Sequence, residues 1–107
     1  MSSALTLDHV GFVARDMSAM RAAWQRLGLQ PTEPRLLMAG RSGTPQFRSL
    51  EQESCHVVLQ RGYIELSAVL THDPAHHLAP WSSRGNGLHI LALGTEDVEA
   101  AYRACVQ

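Results

Sequence analysis

Apolar residues alternate with other residues along the start of the chain, and this alternation predicts a strand over residues 4–14. Val10, Phe12 and Ala14 fall on one face of the strand, whereas His9 and Gly11 fall on the other. The strand therefore has one face suited to a core and a second face that carries a histidine.

A helix follows this strand directly. Asp16 is placed to cap its N-terminus, and Gly28 is placed to end it in a left-handed turn. Between these two residues the apolar side chains recur at the three- and four-residue spacing of a helix, at Met17, Met20, Trp24 and Leu27.

Three further strands are predicted before residue 71. Residues 35–39 read as an extended segment after two prolines, residues 41–45 as a loop, and residues 54–60 as a strand. A tight turn at Arg61 and Gly62 leads into residues 63–70, where Glu65 lies opposite the apolar face formed by Ile64, Leu66, Ala68 and Leu70. The order of strand, helix and three strands predicts the α+β class.

The strand and helix pattern then repeats. Residues 71–87 are polar and rich in turn formers, and predict a connector; a strand at 88–94 and a helix capped by Asp97 follow. A shift of 81 residues pairs Asp16 with Asp97 and Phe12 with Leu93. We therefore expect a single domain over residues 1–107, with a first module at 1–70 and a truncated second module at 88–107.

The face on which His89 lies depends on the alignment of the repeat. A shift of 80 residues pairs His9 with His89, whereas a shift of 81 residues gives that position to Ile90. Because neighbouring side chains in a strand point to opposite faces, the two alignments place His89 on opposite faces. The size of Leu91 and Leu93 as core residues favours the 81-residue shift, whereas the match of two histidines favours the 80-residue shift. The sequence leaves both alignments open.

Composition narrows the class of protein. The chain has 107 residues, 45% of them hydrophobic and 18% charged, which suits a globular domain. A net charge of −1 gives no basic surface for nucleic acid or an anionic membrane, and no apolar run reaches the roughly 20 residues that span a bilayer. No signal peptide opens the chain, and Cys55 and Cys105 lack disulfide or metal-site spacing, so we expect a cytoplasmic protein.

Three stretches resemble the glyoxalase-like domain of the vicinal oxygen chelate superfamily. Residues 7–17 resemble its opening, residues 62–69 its fourth strand, and residues 87–90 with 97–101 the start of its second module. The resemblance implies paired βαβββ modules whose sheets curl around a shared cleft. It also implies a divalent metal in that cleft, which chelates neighbouring oxygens of a substrate.

His9 and Glu65 are the best candidates for functional residues. If Val10 and Ile64 face the helix, then His9 and Glu65 face the cleft. Imidazole and carboxylate groups are suitable ligands for Zn, Ni, Fe or Mn. The resemblance places His9 and Glu65 at metal-ligand positions, and His89 is the third candidate ligand, which matches the family pattern in the 80-residue alignment. Glu65 is in addition expected to move a proton as the catalytic residue.

These residues leave several functions open. The first is a metal-dependent lyase, isomerase or dioxygenase that acts on a small oxygenated molecule. The second, ranked after the enzyme, is a metal-free module that holds a small ligand in the same cleft; the missing last carboxylate ligand of the family is the observation in its favour. The third is a fragment, or a chain that completes its sheet in a homodimer. The connector histidines are expected to be solvated: His72, His76 and His77. His56, which lies among apolar residues of its strand, is expected to be structural.

Overall fold

The computed structural model describes residues 5–40 and 47–107, and the predicted loop at 41–45 lies outside them. Five strands and three helices follow one another along the chain. They are β1 (Leu5–Ala14), α1 (Met17–Arg26), β2 (Arg35–Gly40), β3 (Phe47–Val58), β4 (Tyr63–Val69), α2 (Ala79–Ser82), β5 (Gly87–Thr95) and α3 (Val98–Val106).

The five strands form one sheet with the order β2-β3-β4-β1-β5. β1 lies parallel to β4 on one side and antiparallel to β5 on the other, while β2, β3 and β4 pair antiparallel in sequence. This arrangement confirms the predicted α+β class and the βαβββ order, with β5 and α3 as the strand and helix that follow. β3 begins at Phe47 and ends at Val58, so the predicted strand at 54–60 had the wrong bounds.

α1 covers one side of the sheet and forms the main core there. The Asp16 carboxylate accepts a hydrogen bond of 3.0 Å from the amide of Ala19, and Gly28 adopts a φ of 88°, so both predicted ends of the helix are confirmed. Met17 is buried against strand residues of β3 and β4: Cys55, Val57, Leu66 and Ala68. Leu70, predicted to join this face, follows the end of β4 and is exposed.

The connector covers one end of the opposite side of the sheet. Leu78 is buried there against Val13 and Val69. His76 ties the connector to β3, because its Nε2 donates to the carbonyl of Leu50 at 2.9 Å and its Nδ1 accepts from the amide of Leu78 at 3.1 Å. His76 was expected to be solvated, and this expectation was wrong because both of its ring nitrogens are bound to the backbone.

α3 is capped as predicted but contributes no buried residue. Asp97 accepts a hydrogen bond of 3.0 Å from the amide of Ala100. Val98, the first residue of the helix, is 72% exposed, and Cys105 is exposed as well. In the described part of the chain, no helix is long and apolar enough to cross a bilayer.

Candidate functional site

The candidate residues lie on the side of the sheet opposite α1, which we call the open face. Paired residues on neighbouring strands point to the same face. His9 on β1 is opposite Tyr63 on β4, Gly11 is opposite Glu65, and Glu65 is in turn opposite His56 on β3. The fold therefore brings His9 and Glu65 to one surface, as the alternation predicted.

Glu65 is held by a chain of buried polar side chains. The Ser67 hydroxyl donates to Oε1 of Glu65 at 3.1 Å, and since its only proton is used there, the Ser54 hydroxyl donates to Ser67 at 2.9 Å. Nε2 of Gln52 also donates to Ser67, at 3.3 Å. Gln52, Ser54 and Ser67 are all buried, so these bonds fix the carboxylate from below. These supporting hydrogen bonds were not predicted from the sequence, although polar residues at alternate positions of β3, Gln52 and Ser54, indicated a polar face there.

His9 is held by its neighbour Asp8 and by Tyr63. Nδ1 of His9 lies 2.7 Å from Oδ2 of Asp8, and the His9 ring stacks on the Tyr63 ring with their centroids 4.5 Å apart. His56 contacts the same tyrosine edge-on at 5.3 Å, and its Nε2 lies 4.0 Å from Oε2 of Glu65. The two histidines thus flank Tyr63 beside the Glu65 carboxylate.

A β-bulge decides the position of His89. Ile90 is paired with Gly11 and Leu88 with Phe12, so His89 is an extra residue in β5. A Cβ added to Gly11 would lie 2.9 Å from Cε1 of His89 and 3.2 Å from Cβ of Ile90, so both residues lie on the open face. The 80-residue alignment was therefore correct for His89 and the 81-residue alignment for Ile90, because the bulge turns both side chains to the open face.

The environment of His89 favours a neutral imidazole. Burial lowers its pKa below the ordinary value of 6.5, and the nearby positive potential of His77 acts in the same direction. The Glu65 carboxylate and the backbone of Gly11 oppose this shift. Nδ1 of His89 is buried without a hydrogen bond of normal geometry, and the Trp81 ring lies edge-on to the imidazole at 6.1 Å.

We expect the lowered pKa of His89 to make stability depend on pH. Because the unfolded chain takes up a proton near 6.5 and the folded protein only at lower pH, the free energy of unfolding should fall as the pH drops below that value. Urea unfolding of chelator-treated protein between about pH 8 and about pH 5 measures this dependence. A His89→Asn variant should lose less stability over the same interval, and an equal loss would contradict the prediction.

A second prediction concerns the space above Gly11. In Gly11→Ala the new methyl group would come within 2.9 Å of the His89 ring, which must then move away from the strand. We expect the His89 ring to become more exposed and its pKa to return toward 6.5. NMR titration of the imidazole measures this shift, and Gly87→Ala, where a Cβ meets nothing within 4 Å, is the matched control.

The donors on the open face do not fit a metal ion by themselves. Nδ1 of His9 is bound to Asp8, Oε1 of Glu65 accepts from Ser67, and Nδ1 of His89 is buried without a hydrogen-bond partner. Among residues 5–40 and 47–107, no three His, Cys, Asp or Glu side chains form a group that could hold a metal. The metal-ligand roles of His9, Glu65 and His89 thus stay predictions.

An apolar groove of about 300 Å³ lies on the other side of the sheet, next to Met20 and Trp24 on α1. The one ionisable group in its lining is Asp16, whose carboxylate already caps α1. The groove therefore lacks groups for proton transfer, and the open face is the better candidate for chemistry.

Comparisons with known proteins agree with this fold. A sequence model of the Glyoxalase/Bleomycin resistance protein/Dioxygenase superfamily matches residues 8–107. No curated protein is significantly similar to the chain.

Three solved structures share the fold at low sequence identity. A hypothetical protein from Bacillus halodurans C-125 is 19% identical with a TM-score of 0.65, and the match covers 95% of this chain and 67% of that protein. The methylmalonyl-CoA epimerase of Mycobacterium tuberculosis is 21% identical with a TM-score of 0.59, and the match covers 88% of this chain and 57% of the epimerase chain. Another methylmalonyl-CoA epimerase is 16% identical with a TM-score of 0.59, and the match covers 92% of this chain and 66% of the epimerase chain. The chain thus spans between 57 and 67% of these structures.

Proposed function

This chain belongs to the glyoxalase/bleomycin resistance protein/dioxygenase superfamily, and on that premise we propose that its open face binds a small oxygenated molecule and isomerises it by proton transfer. The ligand would carry a carbonyl group next to a carbon that holds an acidic proton. Glu65 would be the catalytic base.

The observation that carries this proposal is the support of the Glu65 carboxylate. Oε1 is fixed by Ser67, which is itself held by Ser54 and Gln52, while Oε2 has no protein hydrogen bond within the described residues. A carboxylate with one oxygen fixed and the other free is oriented to accept a proton from a bound molecule. Because Ser67 is fully buried, this orientation does not depend on solvent.

The neighbouring aromatic side chains supply hydrogen-bonding groups for the oxygens of a ligand. Burial, together with the carboxylates of Asp8 and Glu65, raises the pKa of the Tyr63 hydroxyl above its ordinary value of 10.0. The hydroxyl therefore stays protonated at neutral pH and can donate a hydrogen bond to a carbonyl oxygen. The neutral ring of His89 lies on the same face, beyond Gly11.

The proposed reaction conserves atoms and electrons without a redox partner. Glu65 takes the proton from the carbon beside the carbonyl group, and the electron pair left behind moves onto the carbonyl oxygen. Return of a proton to the opposite face of that carbon restores the carbonyl group and gives the epimer, whereas return to the same face gives back the starting molecule. Among the lyase, isomerase and dioxygenase reactions of the superfamily, isomerisation needs the fewest groups beyond those on the open face. The epimerase names of two similar structures support this choice.

Solvent exchange tests the proposal. With methylmalonyl-CoA as the probe, we expect the protein in D₂O to exchange the proton at the carbon between the two carbonyl groups, measured by proton NMR. Glu65→Gln should slow this exchange by about 100-fold or more, because loss of a general base costs that much. Glu99→Gln, which alters an exposed carboxylate on α3, is the control and should exchange at the wild-type rate.

The same assay separates the metal-dependent alternative. It is run on chelator-treated protein and then with added Zn²⁺. Exchange that requires Zn²⁺ would support the metal-ligand prediction for His9, Glu65 and His89. An equal rate in Glu65→Gln and wild type, or no exchange in either condition, would contradict the proposed proton transfer.

A homodimer and a cytoplasmic location stay predictions. In the described part of the chain β5 is an edge strand, and a second copy that paired with it would extend the open face. The solution mass of the protein tests the dimer.

A further inference from the structure

We propose that Asp8 is a positioning residue, which holds His9 in the tautomer whose Nε2 lone pair is available to the ligand. The inference rests on the proposed function for the reaction that His9 would assist. It adds a second proton-accepting atom, Nε2 of His9, on the same face as Glu65.

A second β-bulge brings Asp8 to His9. Leu7 is paired with Leu93 and His9 with Ala92, so Asp8 is an extra residue in β1 that has no partner on β5. In a regular strand the side chains of residues 8 and 9 would point to opposite faces. Here Oδ2 of Asp8 lies 2.7 Å from Nδ1 of His9, which places the two side chains side by side.

The carboxylate of Asp8 decides which ring nitrogen of His9 carries the proton. An ionised carboxylate only accepts hydrogen bonds, so Nδ1 of His9 must be the donor in this contact. In a neutral imidazole the lone pair is then on Nε2. Nε2 makes no hydrogen bond to another described residue, and the ring is partly accessible, with 18% of the side chain exposed.

The neighbouring residues limit the movement of the ring. The His9 ring is nearly parallel to the Tyr63 ring, with an interplanar angle of 8° and a centroid distance of 4.5 Å. The Asp8 backbone packs close to Gly62, where any side chain would collide with the Asp8 carbonyl oxygen. With the ring plane set by Tyr63 and Nδ1 set by Asp8, the direction of the Nε2 lone pair is determined.

This arrangement predicts one feature of the ligand. A lone pair on Nε2 accepts a hydrogen bond, so His9 favours a ligand with a hydroxyl or enol O–H near it. The carbonyl oxygen that receives the electron pair in the proposed reaction needs a hydrogen-bond donor instead, and would lie toward the Tyr63 hydroxyl rather than toward Nε2 of His9. Ligands that carry only negatively charged oxygens at this position would meet the lone pair and be disfavoured.

The tautomer is measured directly by two-bond ¹H–¹⁵N correlation NMR at about pH 8 or above, where imidazoles are neutral. We expect His9, assigned with a His9→Gln variant, to carry its proton on Nδ1 in the wild-type protein. In Asp8→Ala the proton should move largely to Nε2. Asp8→Asn, which keeps the shape but removes the charge, should give a smaller change in the same direction.

Controls and outcomes separate this inference from the proposed function. Glu99→Ala removes a carboxylate elsewhere and should leave the His9 tautomer unchanged. Exchange of the methylmalonyl-CoA proton should slow at least about tenfold in Asp8→Ala if the tautomer serves the reaction. A change of tautomer without exchange in the wild-type protein supports the role of Asp8 and contradicts the proposed function. The same tautomer in wild type and Asp8→Ala overturns the role of Asp8, whatever the exchange rate.

Discussion

Replacing Gly62 with alanine should destabilise this protein more than any other single methyl group added at a described glycine. Gly62 has a φ of 77°, which residues with a Cβ rarely adopt. The Cβ of an alanine at this position would also collide with the carbonyl oxygen of Asp8. The backbone of Asp8 cannot move away from the added methyl group as the end of a flexible side chain could. We therefore expect the free energy of unfolding to fall by about 3 kcal/mol or more.

Gly28→Ala is the matched control for this prediction. Gly28 has a similar φ of 88°, but a Cβ there meets nothing within 4 Å. Its replacement should cost about 1 kcal/mol, the cost of the left-handed conformation alone. Urea unfolding of both variants measures the difference, and equal losses would show that the collision with Asp8 is relieved without cost. Because Gly62 precedes Tyr63, the variant should also disturb the stacking of Tyr63 on His9.

Leu66→Ala should produce the other large loss of stability. Leu66 is fully buried in the core between α1 and the sheet, where it shares a cluster with Met17, Cys55 and Val57. Removal of its side chain leaves a cavity, because the strands on either side are held by the sheet and cannot close it. We expect a loss of about 2–5 kcal/mol.

Leu70→Ala provides the comparison for Leu66. Leu70 is 52% exposed and lies just after β4, so its replacement should change stability by less than about 0.5 kcal/mol. Denaturant midpoints of both variants, with unchanged slopes, give these values. A large loss in Leu70→Ala would mean that its side chain is buried in solution, and would restore the core position predicted for it from the alternation of the strand.

The local elements were predictable because their signals are local. The Asp16 and Asp97 caps, the end of α1 at Gly28 and the alternation around Glu65 each depend on residues close in sequence, and the structure has all four. The face of Leu70 was wrong because the alternation does not show where a strand ends. The chain of Gln52, Ser54 and Ser67 was missed because the hydrogen bonds join two strands, and their register is set by the whole sheet.

The sequence by itself determined the five strands, α1 and α3, their order and the faces of His9 and Glu65, since period-two and helical spacing act within one strand or helix. It did not predict α2, which lies inside the predicted connector, or the full length of β3. Only the tertiary structure decided the positions of Asp8 and His89. Each is the extra residue of a β-bulge in the pairing of β1 with β5, and a bulge exists only when two strands meet. The same pairing made the choice between the two alignments of the repeat unnecessary, because it turns both His89 and Ile90 toward Gly11.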